Sequence, residues 1–225
     1  MTAGSPDWAG PPLRAVISDF GGVLTNPLYE CFAAYQRHTG VAPSELREAM
    51  DRITVASGGS NPLHELELGL ITEDVFLRRL EAELGDAVSL HGFREVYFDA
   101  LHRNEEVIGL MRSLRERGLR TALLTNNVRE WEPHWRGLIP ELDEIFEVVV
   151  DSAFVGMRKP DRRIYELTVE RLDPTLSPGD CLFVDDLEIN CEAARAMGMR
   201  AVRYRAAPEA VAEISAVVDG ARART

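Results

Sequence analysis

The chain has 225 residues, 45% of them hydrophobic and 28% charged, with a formal net charge of -12 at pH 7. It is an ordinary soluble protein by composition, long enough to bury a full α/β core and still carry a small insertion. The acidic balance argues against a nucleic-acid or anionic-membrane surface, so any handling of phosphate has to be local.

Residues 1–12, "MTAGSPDWAGPP", carry neither a basic n-region nor an apolar h-region and are expected to be a flexible lead-in. No run elsewhere approaches a membrane span, and a cytoplasmic protein is expected. A first buried strand over 13–18 stops at Asp19, passes through Gly21 and Gly22, and resumes apolar before a proline turn. The next stretch, from 26 to 103, is far too long for one crossover helix. It holds amphipathic helical candidates at 28–39, 44–53, 72–84 and 90–101, with a flexible turn at 56–62 ("ASGGSNP"). Further strands are predicted at 120–124, 146–150, 181–184 and 200–204, with helices at 105–118, 161–172 and 187–198 between them. Their near-continuous Val, Ile and Leu content is that of strands buried on both faces.

The expectation is an α/β fold: a doubly wound parallel sheet, built from 13–25 and 104–225, with a helical cap subdomain, 26–103, inserted after the first strand. An insertion there sits above the carboxyl ends of the strands, where open α/β sheets bind ligands. Cys31, Cys181 and Cys191 show no paired or metal-ligand spacing and read as buried free thiols.

Four polar clusters fall just past the apolar runs or in a loop beside them: Asp19, Thr125-Asn126-Asn127, Lys159, and Asp185-Asp186. Taken singly, each has a plain structural role as a turn former, a helix cap or a solvated loop lysine. Those roles do not explain why all four should meet at one sheet edge. The three aspartates offer hard oxygen ligands for Mg²⁺, Lys159 offers a point charge, and Thr125 with the following amides offers donors to phosphoryl oxygens.

The order and content of "SDFGGVLTNP", "ALLTNN", "GMRKPD" and "FVDDLEIN" resemble the haloacid dehalogenase-like (HAD) hydrolase superfamily. The likeness is strongest to the branch holding the amino-terminal phosphatase of soluble epoxide hydrolases and small sugar-phosphate phosphatases. It implies a Mg²⁺-dependent phosphatase acting on a small phosphorylated metabolite. Asp19 would be the nucleophile that forms an aspartyl-phosphate. The Asp19 carboxylate, the Gly21 carbonyl and Asp186 would bind Mg²⁺, with Asp185 holding a metal-bound water or ligating directly. Thr125, Asn126 and Asn127 would bind phosphate, and Lys159 would pair with both nucleophile and phosphoryl group.

The departure is Gly21, where family phosphatases usually carry a second Asp as general acid and base. Two other readings follow: a metal-independent haloacid dehalogenase, or a catalytically weak protein that binds a phosphometabolite or a partner. His64, Glu65 and Glu67 are candidates to reach the leaving group, although the solvated side of a helix explains them as well. His38, His91 and His102 show no ligand spacing, and Trp131 and Trp135 read as packing residues.

Overall fold

The computed structural model describes residues 12–85 and 88–222. The expected lead-in falls outside them except for Pro12. Five parallel strands form one sheet: β1 (Ala15–Ser18), β2 (Arg120–Thr125), β3 (Val148–Asp151), β4 (Cys181–Asp185) and β5 (Arg200–Arg203), in the order β3-β2-β1-β4-β5. Every residue of β1 and β4 is buried, which is what the unbroken apolar runs require. Side chains alternate between two cores: Val16, Leu182 and Val184 enter one, while Ala15, Ile17 and Phe183 enter the other.

Helices α1 (Leu28–Thr39), α2 (Pro43–Ala56), α3 (Pro62–Glu67), α4 (Glu73–Leu84) and α5 (Phe93–Asp99) lie between β1 and β2 in the chain, followed by α6 (Glu105–Glu116). The short helices α7 (Glu132–Leu138) and α8 (Leu142–Ile145) precede β3, and α9 (Ser152–Val155) and α10 (Arg162–Leu172) follow it. Beyond β4 come α11 (Glu188–Ala196) and, after β5, α12 (Ala207–Arg222). Leu114 of α6 and Ile214 of α12 close one face of the sheet, and Ile164 of α10 and Ala194 of α11 close the other. The result is a three-layer α/β fold.

The turn expected at 56–62 is shorter than that. Asn61 caps α3 by accepting hydrogen bonds from the Leu63 and His64 amides, and Pro62 takes the first helical position. Likewise 146–147 precede β3 rather than belonging to it, because Phe146 still closes the last turn of α8 through Leu142. The insertion leaves and rejoins the sheet at one point. Thr25 and Arg103 form an antiparallel bridge there, flanked by hydrogen bonds from the Asn26 amide to His102 and from the Asn104 amide to Leu24.

Candidate active site

β1 and β4 are aligned so that Ser18 lies beside Val184, and the Asp19 amide continues the ladder with a 2.8 Å bond to the Val184 carbonyl. Asp19 therefore emerges next to Asp185 at the carboxyl edge, where the strand order changes direction. Gly22 follows with φ +73°, and a Cβ there would come within 2.7 Å of Asp186 Oδ2. Glycine suits the position, because φ is left-handed and a Cβ would displace the Asp186 carboxylate. The Gly22 amide donates to Thr25 Oγ1 at 2.9 Å, which fixes the loop.

Lys159 is almost wholly buried, and its ammonium bridges Asp19 Oδ1 and Asp185 Oδ2, each at 2.7 Å. Its main chain is clamped by Asn126, whose Oδ1 accepts the Lys159 amide at 2.8 Å and whose Nδ2 donates to the Lys159 carbonyl at 3.0 Å. The Asn126 side chain thus positions Lys159. Asn127 is similarly engaged: its amide donates to Ser152 Oγ at 3.1 Å, and its Oδ1 accepts the Val128 amide. Thr125, at the end of β2, is buried on the wall of the same cavity.

Asp185 is fully buried and its oxygens are taken up by Lys159, by the Leu187 amide at 2.9 Å and by Asn190 Nδ2 at 3.0 and 3.1 Å. Asp186 is only partly buried and lines the cavity. One oxygen each of Asp19, Asp185 and Asp186 lie within 4.8 Å of one another. Asp185 holds the lysine while Asp19 and Asp186 face the open space.

The electrostatics show what the cluster lacks. Three carboxylates surround one ammonium, which leaves a formal charge of -2 in a buried volume. Burial raises the Asp19 carboxyl well above its ordinary range, against the pull of Lys159 and with a further push from Asp185 and Asp186. Burial and the neighbouring Asp185 push Asp186 up to about 6. Burial works against the Lys159 ammonium, but Asp185 and Asp19 outweigh it and hold the proton. A divalent cation would neutralise the cluster, and oxygen donors at this spacing suit a hard one.

Some residues of the site are not legible from strand ends. Asn190 orients Asp185 from the first turn of α11, and its own carbonyl accepts the Tyr165 hydroxyl at 3.0 Å. Glu67 of α3 meets Arg158 at 2.6 Å on the cavity wall, where its burial raises the carboxyl and Arg158 opposes the rise. Of the other acid candidates, His64 is exposed, and Glu65 is tied to Arg79 at 2.5 Å. Trp131 and Trp135 pack against Tyr97 and Phe20, respectively.

An aspartate beside a buried lysine and a second acidic pair, gathered from the ends of β1 and β4 and the loop before α10, points to a class of hydrolase. The chain belongs to the haloacid dehalogenase-like hydrolase family, whose model matches residues 13–198. It is 29% identical over 216 residues to acyl-CoA dehydrogenase family member 10 of Mus musculus, covering 93% of this chain but only 19% of that protein. It is 27% identical to sesquiterpene phosphatase astK of Aspergillus oryzae, covering 83% of this chain and 87% of that one. The fold is similar to HAD family enzyme bt-2542 of Bacteroides thetaiotaomicron, solved with magnesium and inorganic phosphate. That comparison has a TM-score of 0.63 and 23% identity, covering 86% of this chain and 95% of the other.

Proposed function

We propose that the protein is a Mg²⁺-dependent phosphatase acting on a small phosphorylated metabolite, with the helical insertion serving as a cap over the site. The observation that carries this reading is the buried charge of the cluster: three aspartates against Lys159, short of neutrality by one divalent cation. The phosphatase relative and the magnesium and phosphate bound by the similar structure support it. A haloacid dehalogenase would have to bring an anionic substrate to the same uncompensated carboxylates.

Asp19 and Asp186, with the Gly21 carbonyl beside them, would hold Mg²⁺, whose chemistry is to neutralise phosphoryl oxygens. Lys159 fixes Asp19 through Oδ1, leaving Oδ2 as the attacking atom. The Asp19 oxygen bonds to phosphorus as the bond to the leaving oxygen breaks, forming an aspartyl-phosphate. Water then attacks phosphorus, releasing inorganic phosphate and restoring the carboxylate. Thr125 and the Asn126 amide orient the phosphoryl oxygens, since the Asn127 and Val128 amides are already engaged. Gly21 supplies no proton, so the leaving oxygen takes its proton from water or from another group on the cavity wall.

Phosphate release from acetyl phosphate, followed with and without chelator, tests the reading. Activity should vanish in excess chelator and return with Mg²⁺, while Asp19→Asn should fold but lose turnover. Undiminished activity in chelator would sink the proposal.

A further inference from the structure

Tyr97 lies on α5, the last helix of the insertion, and lines the cavity of about 460 Å³ that opens over Asp19. Three aromatic neighbours fix its ring. Phe32 of α1 meets it edge-on with ring centres 5.8 Å apart, Trp131 before α7 packs at 4.9 Å, and Phe93 one turn earlier stacks at 6.2 Å. The side chain is only 7% exposed, yet its hydroxyl makes no hydrogen bond among the described residues. A buried hydroxyl without a partner is unfavourable, so binding an acceptor beside it is favoured.

Most other polar side chains on the wall are committed elsewhere. Asn126 holds Lys159, Asn190 holds Asp185, Glu67 pairs with Arg158, and Glu73 takes Arg94 and the Trp131 indole, both at 2.9 Å. The Trp135 indole nitrogen also lacks a partner but is itself fully buried, and Arg47 is exposed. The charges of Asp19 and Asp186 both act on the Tyr97 hydroxyl, which places it in the field of the phosphoryl site. Burial, with Cys31 and these two aspartates adding to it, holds the hydroxyl well above the ordinary tyrosine range. It therefore stays a donor at every working pH.

We infer that Tyr97 donates a hydrogen bond to the leaving oxygen, a contact that Gly21 has no side chain to make. This rests on the phosphatase reading and names a further catalytic residue for it. As the Asp19 oxygen bonds to phosphorus, the bond to the leaving oxygen breaks and its electron pair stays on that oxygen, where the Tyr97 O–H stabilises the charge. Water then supplies the proton, and Tyr97 keeps its own.

Tyr97→Phe removes the donor and keeps the ring. Single-turnover rates of variant and parent with Mg²⁺, across acetyl phosphate, aryl phosphates and alkyl phosphates of rising leaving-group pKa, measure the effect. The loss should grow along the series and reach about 10²-fold for the alkyl esters, the cost of removing one preorganised donor. A packing role would lower all members alike. Fluorotyrosine installed at position 97 is a stronger donor of nearly the same shape, and it should shift the series the other way. That arm decides the matter if circular dichroism shows that Tyr97→Phe does not fold. A folded Tyr97→Phe protein that loses equally across the series, or loses nothing, overturns the assignment, and so does an unchanged slope with fluorotyrosine. In those cases acetyl phosphate turnover by the parent leaves the phosphatase reading standing. A parent that hydrolyses neither acetyl phosphate nor any phosphomonoester removes that reading, and the role of Tyr97 with it.

Discussion

Gly21 decides how much help the leaving oxygen receives. A Cβ built there would meet Leu28 Cδ1 at 3.0 Å, so an apolar side chain borders the space that a second aspartate would need. The backbone is not the obstacle, since Gly21 is absent from the glycines with positive φ and Leu28 presents only the end of a flexible side chain. Gly21→Asp should therefore fold and add a carboxylic acid beside Asp19. Without that acid, single-turnover rates should depend steeply on leaving-group pKa; with it, poor leaving groups should gain by about 10²–10⁴-fold and good ones by far less. Equal gains across a graded series of phosphomonoesters would show that Gly21 does not set proton delivery. At this scale the sequence was informative where strand ends dictate position. Asp19, Thr125 and Asp185 converge because parallel strands deliver them to one edge. The partners of Asn190 and Glu67 were not legible, because they are fixed by how α11 and α3 pack, which no local pattern encodes.

Asp151 shows how an element can carry a burden unrelated to chemistry. It ends β3 and caps α9, its Oδ1 accepting the Ala153 amide at 2.9 Å, while its Oδ2 is buried with no partner. Burial pushes the carboxyl from 3.8 up to about 6, against the Ala153 bond. The folded state therefore binds this proton more tightly than the unfolded chain does. The stabilisation is complete below about pH 4 and lost as pH rises through about 6. Asp151→Asn keeps the capping oxygen and removes the buried charge. It should be more stable than the parent at pH 7.5 by at most about 3 kcal/mol, with the advantage shrinking toward pH 4. Denaturant titrations of both proteins at the two pH values measure this, and subtracting the parent cancels the other acids. A constant difference would mean that Asp151 does not titrate in that window. The sheet strands and long helices were legible because burial on both faces writes unbroken apolar runs. Helices of four to seven residues such as α7, α8 and α9 were not, since so few turns carry no periodicity. α12 differs from these, because a helical pattern is present in it: Ala210, Ile214, Val217 and Val218 are buried along one face.

The whole molecule depends on how the insertion sits on the sheet. The chain crosses between them only at the Thr25–Arg103 bridge, so their relative position is set by contacts on the far side of the cavity. Glu67–Arg158 is such a contact, both side chains largely buried, and Gly69 just beyond α3 packs against the Ala153 carbonyl. A buried pair contributes little net stability when intact, but loss of one partner strands the other. Arg158→Met should therefore destabilise the protein by about 3 kcal/mol, whereas Glu67→Met with Arg158→Met should recover most of that loss. The pH dependence gives an independent check. Burial already raises the Glu67 carboxyl, and Arg158 is the main influence opposing the rise. Without the arginine the folded-state pKa climbs further, so the single variant should lose stability as pH rises through that value, and the double variant should not. Hydrogen exchange across α3 should follow the same order, fastest in the single variant above neutral pH. A single variant as stable as the parent across the whole range would show that the remaining contacts, Glu73 with Trp131 among them, hold the insertion in place without this pair.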